Sequence, residues 1–373
     1  MIKLALIAFV TVLIFGSCNR EETKPADLIE TEEYQLSIDT LATGLENPWG
    51  MTFLPDGRIL IAERPGRLRV FALEELRDAP VQGIPEIWDH GQGGLLDVVL
   101  HPDYDENGWI YLAYASPREG GGGNTSVSRG RLSGNTFTEM ELIFQGEPAT
   151  GAGQHFGSRI VFDDGYMFTT IGDRGVMNSA QTLENHNGTV IRLFDDGRVP
   201  PDNPFVDVEG AKPEIWSYGH RNIQGMGIRP GTNQLWAHEH GPMGGDEINL
   251  VRKGLNYGWP EVSYGVNYNG SIITEDTTRV GMEDPVYQWT PSIAPCGMAF
   301  VDSDRYPGWN GNMLVGALAG QHIHRVVLDG DEVVHTEYLL EGFARFRDIR
   351  QGPDGYIYVL TEAPGLFFRI VPW

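Results

Sequence analysis

The sequence predicts an all-β chain folded as a six-bladed β-propeller, with four antiparallel strands in each blade. Three observations carry that reading. One hairpin phrase recurs six times along the chain. In addition, 48 glycines and 23 prolines among 373 residues supply turns at roughly one position in five. Finally, no amphipathic helical period of useful length interrupts the repeats.

The chain opens with an address. Lys3 precedes an apolar run from Leu4 to Phe15, too short to cross a bilayer as a stable helix and suited to the core of a signal peptide. Gly16, Ser17 and Cys18 follow, and small residues before a cysteine after such a run resemble a bacterial lipoprotein box. That resemblance implies a signal peptide over residues 1–17 and a lipid on Cys18. The chain would then be an exported lipoprotein, periplasmic or at the cell surface, touching the membrane only through that lipid. An ordinary secretory peptide cut nearby, with Cys18 incidental, is the plainer alternative. Residues 18–35 are acidic and poor in aromatics, so they read as a flexible tether. With Cys18 lipidated, Cys296 is the one remaining thiol and is most simply a buried small hydrophobe.

Residues 36–373 then form the propeller. Its phrase is a short apolar strand, a turn, and a second strand rich in Tyr, Ile, Leu and Val. Met51 to Leu54 leads through Pro55-Asp56-Gly57 to Ile59–Ala62, and Val98 to Leu100 through His101-Pro102-Asp103 to Trp109–Leu112. Ile160 to Phe162 leads through Asp163-Asp164-Gly165 to Tyr166–Phe168, and Met226 to Ile228 through Arg229-Pro230-Gly231 to Gln234–Trp236. Met298 to Val301 leads through Asp302-Ser303-Asp304 to Asn312–Val315, and Ile349 to Gln351 through Pro353-Asp354-Gly355 to Tyr356–Val359. Proline presets one turn dihedral and glycine accepts the positive one. The last strand, Leu366 to Val371, runs almost to the terminus, so a strand near Leu36-Ser37-Ile38-Asp39 is expected to close the final blade.

Acidic residues outnumber basic ones 51 to 27, a formal charge of −24. That sign repels nucleic acid and anionic lipid and suits a hard cation such as calcium. Against this background, polar residues just before the inner strands stand out: Gln92, His155, Arg221 with Asn222, and Arg345 with Arg347. They suggest a pocket for an anion or polycarboxylate with a proton acceptor beside it. Each also has a plain explanation as a turn residue or solvated face. Two arginines flanking Phe346 on one side of a strand would repel unless an anion joined them.

At these residues a family resemblance appears. It rests on Gly91-Gln92-Gly93-Gly94-Leu95-Leu96, Gln154-His155-Phe156-Gly157-Ser158-Arg159, Ile171-Gly172-Asp173 and Gly219 to Gly225. It continues through Glu239-His240-Gly241-Pro242, Asp246-Glu247-Ile248-Asn249, Asn256-Tyr257-Gly258-Trp259-Pro260 and Arg345-Phe346-Arg347-Asp348. In that order, and from about residue 40 to the end, the chain resembles the soluble quinoprotein sugar dehydrogenases of the glucose/sorbosone dehydrogenase family, the aldose sugar dehydrogenase branch most nearly.

The resemblance implies a propeller that uses pyrroloquinoline quinone and calcium to oxidise the C1 hydroxyl of an aldose to the lactone, passing electrons to an external acceptor. His155 matches the base and Arg221 the cation beside the reacting oxygens. Arg345 and Arg347 would grip cofactor carboxylates, and Gln92 and Asn222 would supply amide hydrogen bonds. Gln224, Ala319 and Gln321 belong to the same expected cofactor set. Gly241 and Pro242 match a pair of calcium-binding carbonyls. Glu247, by its carboxylate, and Tyr257, by its main-chain oxygen, match ligands of a second, structural calcium.

Two departures accompany the match. Gln154 stands where the glucose-specialised branch has an aspartate, and no lysine lies near Gly316–Gln321. Two other classes compete: a calcium-dependent lactonase on a similar propeller, which needs carboxylates converging on one central ion, and a non-catalytic binding propeller.

Overall fold

Each expected hairpin folds as the inner pair of a sheet. Pro48–Phe53 pairs with Ile59–Glu63, Leu95–Leu100 with Trp109–Pro117, and Ile160–Asp163 with Tyr166–Ile171. Ile223–Ile228 pairs with Leu235–Glu239, Pro295–Phe300 with Met313–Ala317, and Phe346–Gln351 with Ile357–Glu362. The computed structural model describes residues 28–373 and adds two outer antiparallel strands to every pair. Each inner strand packs against the next blade's, and the sixth returns to the first, so the six sheets close a propeller.

Local chemistry explains the hairpins. In the first, Gly57 takes φ +87°, a conformation open to glycine at little cost, and its N–H closes the turn on the Leu54 carbonyl at 3.0 Å. The second strands are buried on both faces between neighbouring blades, hence their unbroken apolar sequences, such as Ile59-Leu60-Ile61-Ala62. Leu60, Leu68, Leu95, Ile110 and Leu112 fill the seam between the first two blades. Trp236, Ile248, Met298, Met313 and Val315 fill that between the fourth and fifth.

The sixth blade is closed as expected. Gln35–Thr43 pairs antiparallel with Gly365–Pro372, from Leu36 opposite Pro372 to Thr43 opposite Leu366. Trp373 adds a hydrogen bond from its indole N–H to Ser37 Oγ at 2.7 Å.

One expectation needs correction. The sequence predicts a tether over residues 18–35, yet Ile29–Glu30 pairs with the closing strand as a fifth strand. Arg325, only 2% exposed, draws in Glu32 at 2.8 Å and Glu33 at 3.4 Å, while Tyr34 meets Trp309 edge-on at 5.2 Å. A buried guanidinium needs carboxylates, so these acids serve the ring and not a loose linker. The expected signal peptide and Cys18 lie outside the described residues.

Beneath the mouth of the ring, four charges meet on its axis. Arg159 lies 3.0 Å from Asp348 and 3.4 Å from Asp97, and Arg350 lies 2.7 Å from Asp97 and 3.1 Å from Asp348. Both aspartates are fully buried. Their second oxygens accept N–H groups of Ile160 (3.0 Å) and Met51 (3.1 Å), so blades one, two, three and six are joined at one point. Asp97→Ala leaves Arg159 short of a counter-charge and should destabilise the fold by about 3–5 kcal/mol. Chemical denaturation giving a loss within error of zero would contradict this account.

Candidate active site

Inner strands start, and second strands finish, at the same end of the ring. Every blade therefore delivers two short segments to one mouth. Five expected residues, Gln92, Asn222, Gln224, Arg345 and Arg347, line a cavity of about 340 Å³ there. That is room for a small ligand. Ala319 and Gln321 stand outside the lining: the Ala319 N–H is used by the Ile293 carbonyl at 3.0 Å, and Leu318 and Ala294 form the wall instead.

His155 is fixed from both ends. Its backbone, at φ +55°, donates its N–H to Gln92 Oε1 at 2.8 Å. Its Nδ1 lies 2.6 Å from Asp173 Oδ1. Asp173 is fully buried, with Oδ2 accepting the Trp259 indole N–H at 2.8 Å and Oδ1 the Gly175 N–H at 2.7 Å. The residue that orients the imidazole is therefore Asp173, at the end of a second strand, and not Gln154 beside it in sequence. Gln154 offers its carbonyl to Arg174. Because an ionised carboxylate only accepts, Nδ1 carries the proton and Nε2 the lone pair.

Burial pulls the imidazole below its ordinary 6.5 and Arg221 adds to this, together outweighing the upward pull of Asp173. Burial alone would raise Asp173. The hydrogen bond and charge of His155, the Gly175 N–H and Arg221 bring it below the usual carboxylate value instead. The pair is an ionised aspartate with a neutral histidine at neutral pH, an arrangement ready to accept a proton.

Arg221 occupies the next position around the ring. Its N–H donates to Glu239 Oε2 at 2.5 Å, its Nη1 reaches the carbonyls of His240 (3.0 Å) and Gly241 (2.9 Å), and its guanidinium lies 5.3 Å from the Trp259 ring centre. Across the cavity, Arg345 and Arg347 are joined by an anion of the protein's own: Glu362 lies 3.1 Å from the first and 2.9 Å from the second. Burial opposes ionisation of Glu362, but the two guanidiniums keep its pKa low. The repulsion expected between these arginines is thus relieved before any ligand arrives. Cys296 is fully buried as expected, and it also receives Arg347 Nη1 at 3.1 Å under the cavity.

The two expected calcium sets meet at Gly241, while Pro242 stands outside the void the others share. Gly241, Glu247 and Tyr257 line one void of about 10 Å³ with Glu239 and Ser263, the space of a single water or ion. Tyr257's hydroxyl is used twice, donating to the Leu250 carbonyl at 2.7 Å and accepting the Arg252 N–H at 2.8 Å. Burial first, and the Glu239 charge second, push Glu247 up to about 8. Among the described residues no cluster of three or more His, Cys, Asp or Glu side chains is arranged to hold a metal. Asp246 accepts the N–H groups of Gly241, Ile293 and Ala294 at 2.8, 2.7 and 2.9 Å, and so ties the Gly241 turn to the cavity wall.

The model of the Glucose / Sorbosone dehydrogenase family matches residues 45–369. The chain belongs to that family. It is 43% identical over 345 residues to aldose sugar dehydrogenase YliI of Escherichia coli (strain K12), covering 90% of this chain and 93% of the relative. Among solved structures, the apo form of the soluble aldose sugar dehydrogenase from Escherichia coli superposes with a TM-score of 0.87 at 41% identity, over 91% of this chain and all of that one. The PQQ-bound aldose sugar dehydrogenase from Streptomyces coelicolor gives 0.75 at 26% identity, over 91% and 98%.

Family membership directs attention to the imidazole, whose partner is the feature most open to measurement. Asp173→Asn removes the interaction that raises His155 while burial and Arg221 remain, so the His155 pKa should fall further. An NMR titration of the histidine that finds it unchanged or higher in the variant would refute the assignment.

Proposed function

We propose that this protein is a pyrroloquinoline-quinone-dependent dehydrogenase that oxidises the C1 hydroxyl of aldose sugars to the lactone. The observation that carries the reading is the His155–Asp173 pair, tied by the His155 N–H to Gln92 in the wall of a cavity that three arginines line. The names of the Escherichia coli and Streptomyces coelicolor relatives agree with it.

The residues present fit a flat tricarboxylate. Arg345 and Arg347 are held side by side by Glu362, and Arg347 Nε and Arg221 Nε are buried without hydrogen-bond partners. Asn222 has its Oδ1 occupied by the Gly157 N–H at 3.1 Å, which leaves its amide N–H groups for a ligand. When bound, the quinone would supply an electrophilic carbonyl, the acceptor that hydride abstraction from C1 needs. The chain's own part is acid–base. Nε2 of His155 accepts the proton of the anomeric hydroxyl, Asp173 steadies the imidazolium so formed, and Arg221 offsets negative charge developing on the neighbouring oxygens.

Calcium belongs to the same proposal. The Gly241 carbonyl already faces a positive group, Arg221, and Gly241, Glu247 and Tyr257 line a void of one-ion size, to which Tyr257 would offer its main-chain oxygen. Pro242 completes the carbonyl pair, and oxygen donors suit this cation. An ion on the Gly241 and Pro242 carbonyls would hold the cofactor, and the second, structural ion at Glu247 and Tyr257 would offset the crowding of Glu247 by Glu239. Export with a lipid on Cys18 is also part of the reading, supported by the Leu4–Phe15 run and the Gly16-Ser17-Cys18 sequence. The lactonase alternative loses ground because the axial carboxylates, Asp97 and Asp348, are already paired with Arg159 and Arg350.

Three outcomes test this. Purified protein given pyrroloquinoline quinone and calcium should reduce an artificial dye when an aldose is added, and His155→Ala should lower kcat roughly 10²- to 10⁴-fold without unfolding the chain. Silence across a broad sugar panel would end the dehydrogenase reading. Only neutral His155 accepts a proton, so kcat/KM should rise with pH through an acid limb centred below 6.5, the direction in which burial moves this group. A limb well above that value would point to another base. Glu247→Gln should weaken calcium binding by about tenfold or more in a direct titration; unchanged affinity would remove Glu247 from the ligand set.

A further inference from the structure

The cavity holds a third guanidinium to which the family resemblance gives no role. Arg64 follows directly on the second strand of the first blade, Ile59–Glu63, the counterpart of Glu362 at the end of that strand in the sixth. It lines the same cavity as Arg345 and Arg347, with its side chain 22% exposed. The three arginines differ in their counter-charges. Arg345 and Arg347 share Glu362 at 3.1 and 2.9 Å. Arg64 has Asp89 at 3.7 Å, beyond hydrogen-bond reach, and that carboxylate is 47% exposed. One Arg64 nitrogen, Nη1, donates to the Gly91 carbonyl.

A guanidinium carries five donors in a rigid fork that matches a carboxylate. One largely withdrawn from water, facing a cavity without a close counter-ion, is completed by an anionic ligand. Trp49 and Leu96 on the adjoining wall bring no charge to compete for it.

We propose that Arg64 binds a carboxylate of the tricarboxylate cofactor, as a third clamp beside Arg345 and Arg347. This rests on the proposed use of pyrroloquinoline quinone. Arg64 is also joined to the base through the backbone. The Gly91 carbonyl it holds precedes Gln92, whose N–H donates to the Gly153 carbonyl at 2.6 Å and whose Oε1 accepts the His155 N–H at 2.8 Å. The carboxylate clamp and the support of the base thus converge on one turn, and the two roles separate experimentally.

The experiment is a titration of full-length, calcium-loaded protein with pyrroloquinoline quinone, followed by absorbance, at low and high salt. Arg64→Gln keeps an N–H donor for the Gly91 carbonyl and loses the charge. Its Kd should rise about 10- to 100-fold at low salt, and its binding should depend less on salt than the wild type's, since one screened attraction is gone. Arg64→Lys keeps the charge without the fork and should fall between the two; it also serves if the glutamine variant does not fold. A Kd and salt dependence equal to the wild type's in both variants would overturn the proposal and leave Arg64 as a support for Gly91 alone. Failure of the wild type itself to bind the quinone is a different result, since it strikes the proposed function.

Discussion

The knot of Asp97, Arg159, Asp348 and Arg350 is the constraint on which the upper half of the molecule rests. A ring of six sheets has a hole along its axis, and an empty or loosely filled hole would let the blades slide against one another. Here that hole is filled by charges that cannot be moved singly. Arg159 also donates through Nε to the Gln224 carbonyl at 2.7 Å and reaches the Arg347 carbonyl at 3.5 Å. The backbone oxygens of two cavity-lining residues are therefore gripped from below. Buried ion pairs contribute little net stability once desolvation is counted, but breaking one leaves a bare charge, which makes register costly to change. The cavity keeps its shape because its floor is electrostatically over-determined.

Much of this fold is legible in the sequence because its signal is local. A hairpin such as Phe53–Ile59 needs only a Pro-Asp-Gly turn between two apolar runs, and the six copies count the blades. The site was legible by half. Gln92, His155, Arg221 and Arg345 stand just before inner strands, next to recognisable glycine-rich turns. The partners that set their chemistry (Asp173, Glu239, Glu362 and Arg64) stand at or just after the ends of second strands. There each looks like an ordinary polar residue ending a strand. Their roles come from contacts across the ring, such as Trp259 to Asp173, separated by 86 residues. Aligning the phrases at their second-strand ends puts Glu63, Glu239 and Glu362 in one column, with Arg64 and Asp173 within two residues after it, and that recurrence of charged residues is the signal in the sequence. The tether failed for a related reason: Glu32 and Glu33 look solvated until Arg325 is seen beneath them.

The chain is acidic overall, yet its central cavity is lined by Arg64, Arg345 and Arg347 with one carboxylate, Glu362, in the lining, and Arg221 lies beside it. These two facts act over different distances. In salt the general negative field is screened within about 8–10 Å, so it little hinders an anion at the rim. Inside the cavity, guanidiniums partly withdrawn from water, Arg347 at 10% and Arg64 at 22% exposure, act with less screening than on the open surface. Glu362 limits the resulting charge and holds two of the cations together, so that this side of the cavity is set before a ligand enters. The same economy of charge operates at the base. Asp173 could hold His155 protonated, but burial and Arg221 work against it and leave the imidazole neutral. A more exposed His155 would be charged more often and unable to accept a proton; without Asp173 it would have no fixed tautomer. The cationic mouth thus serves both tasks, drawing an anion to the axis and keeping the imidazole at its edge free of a proton.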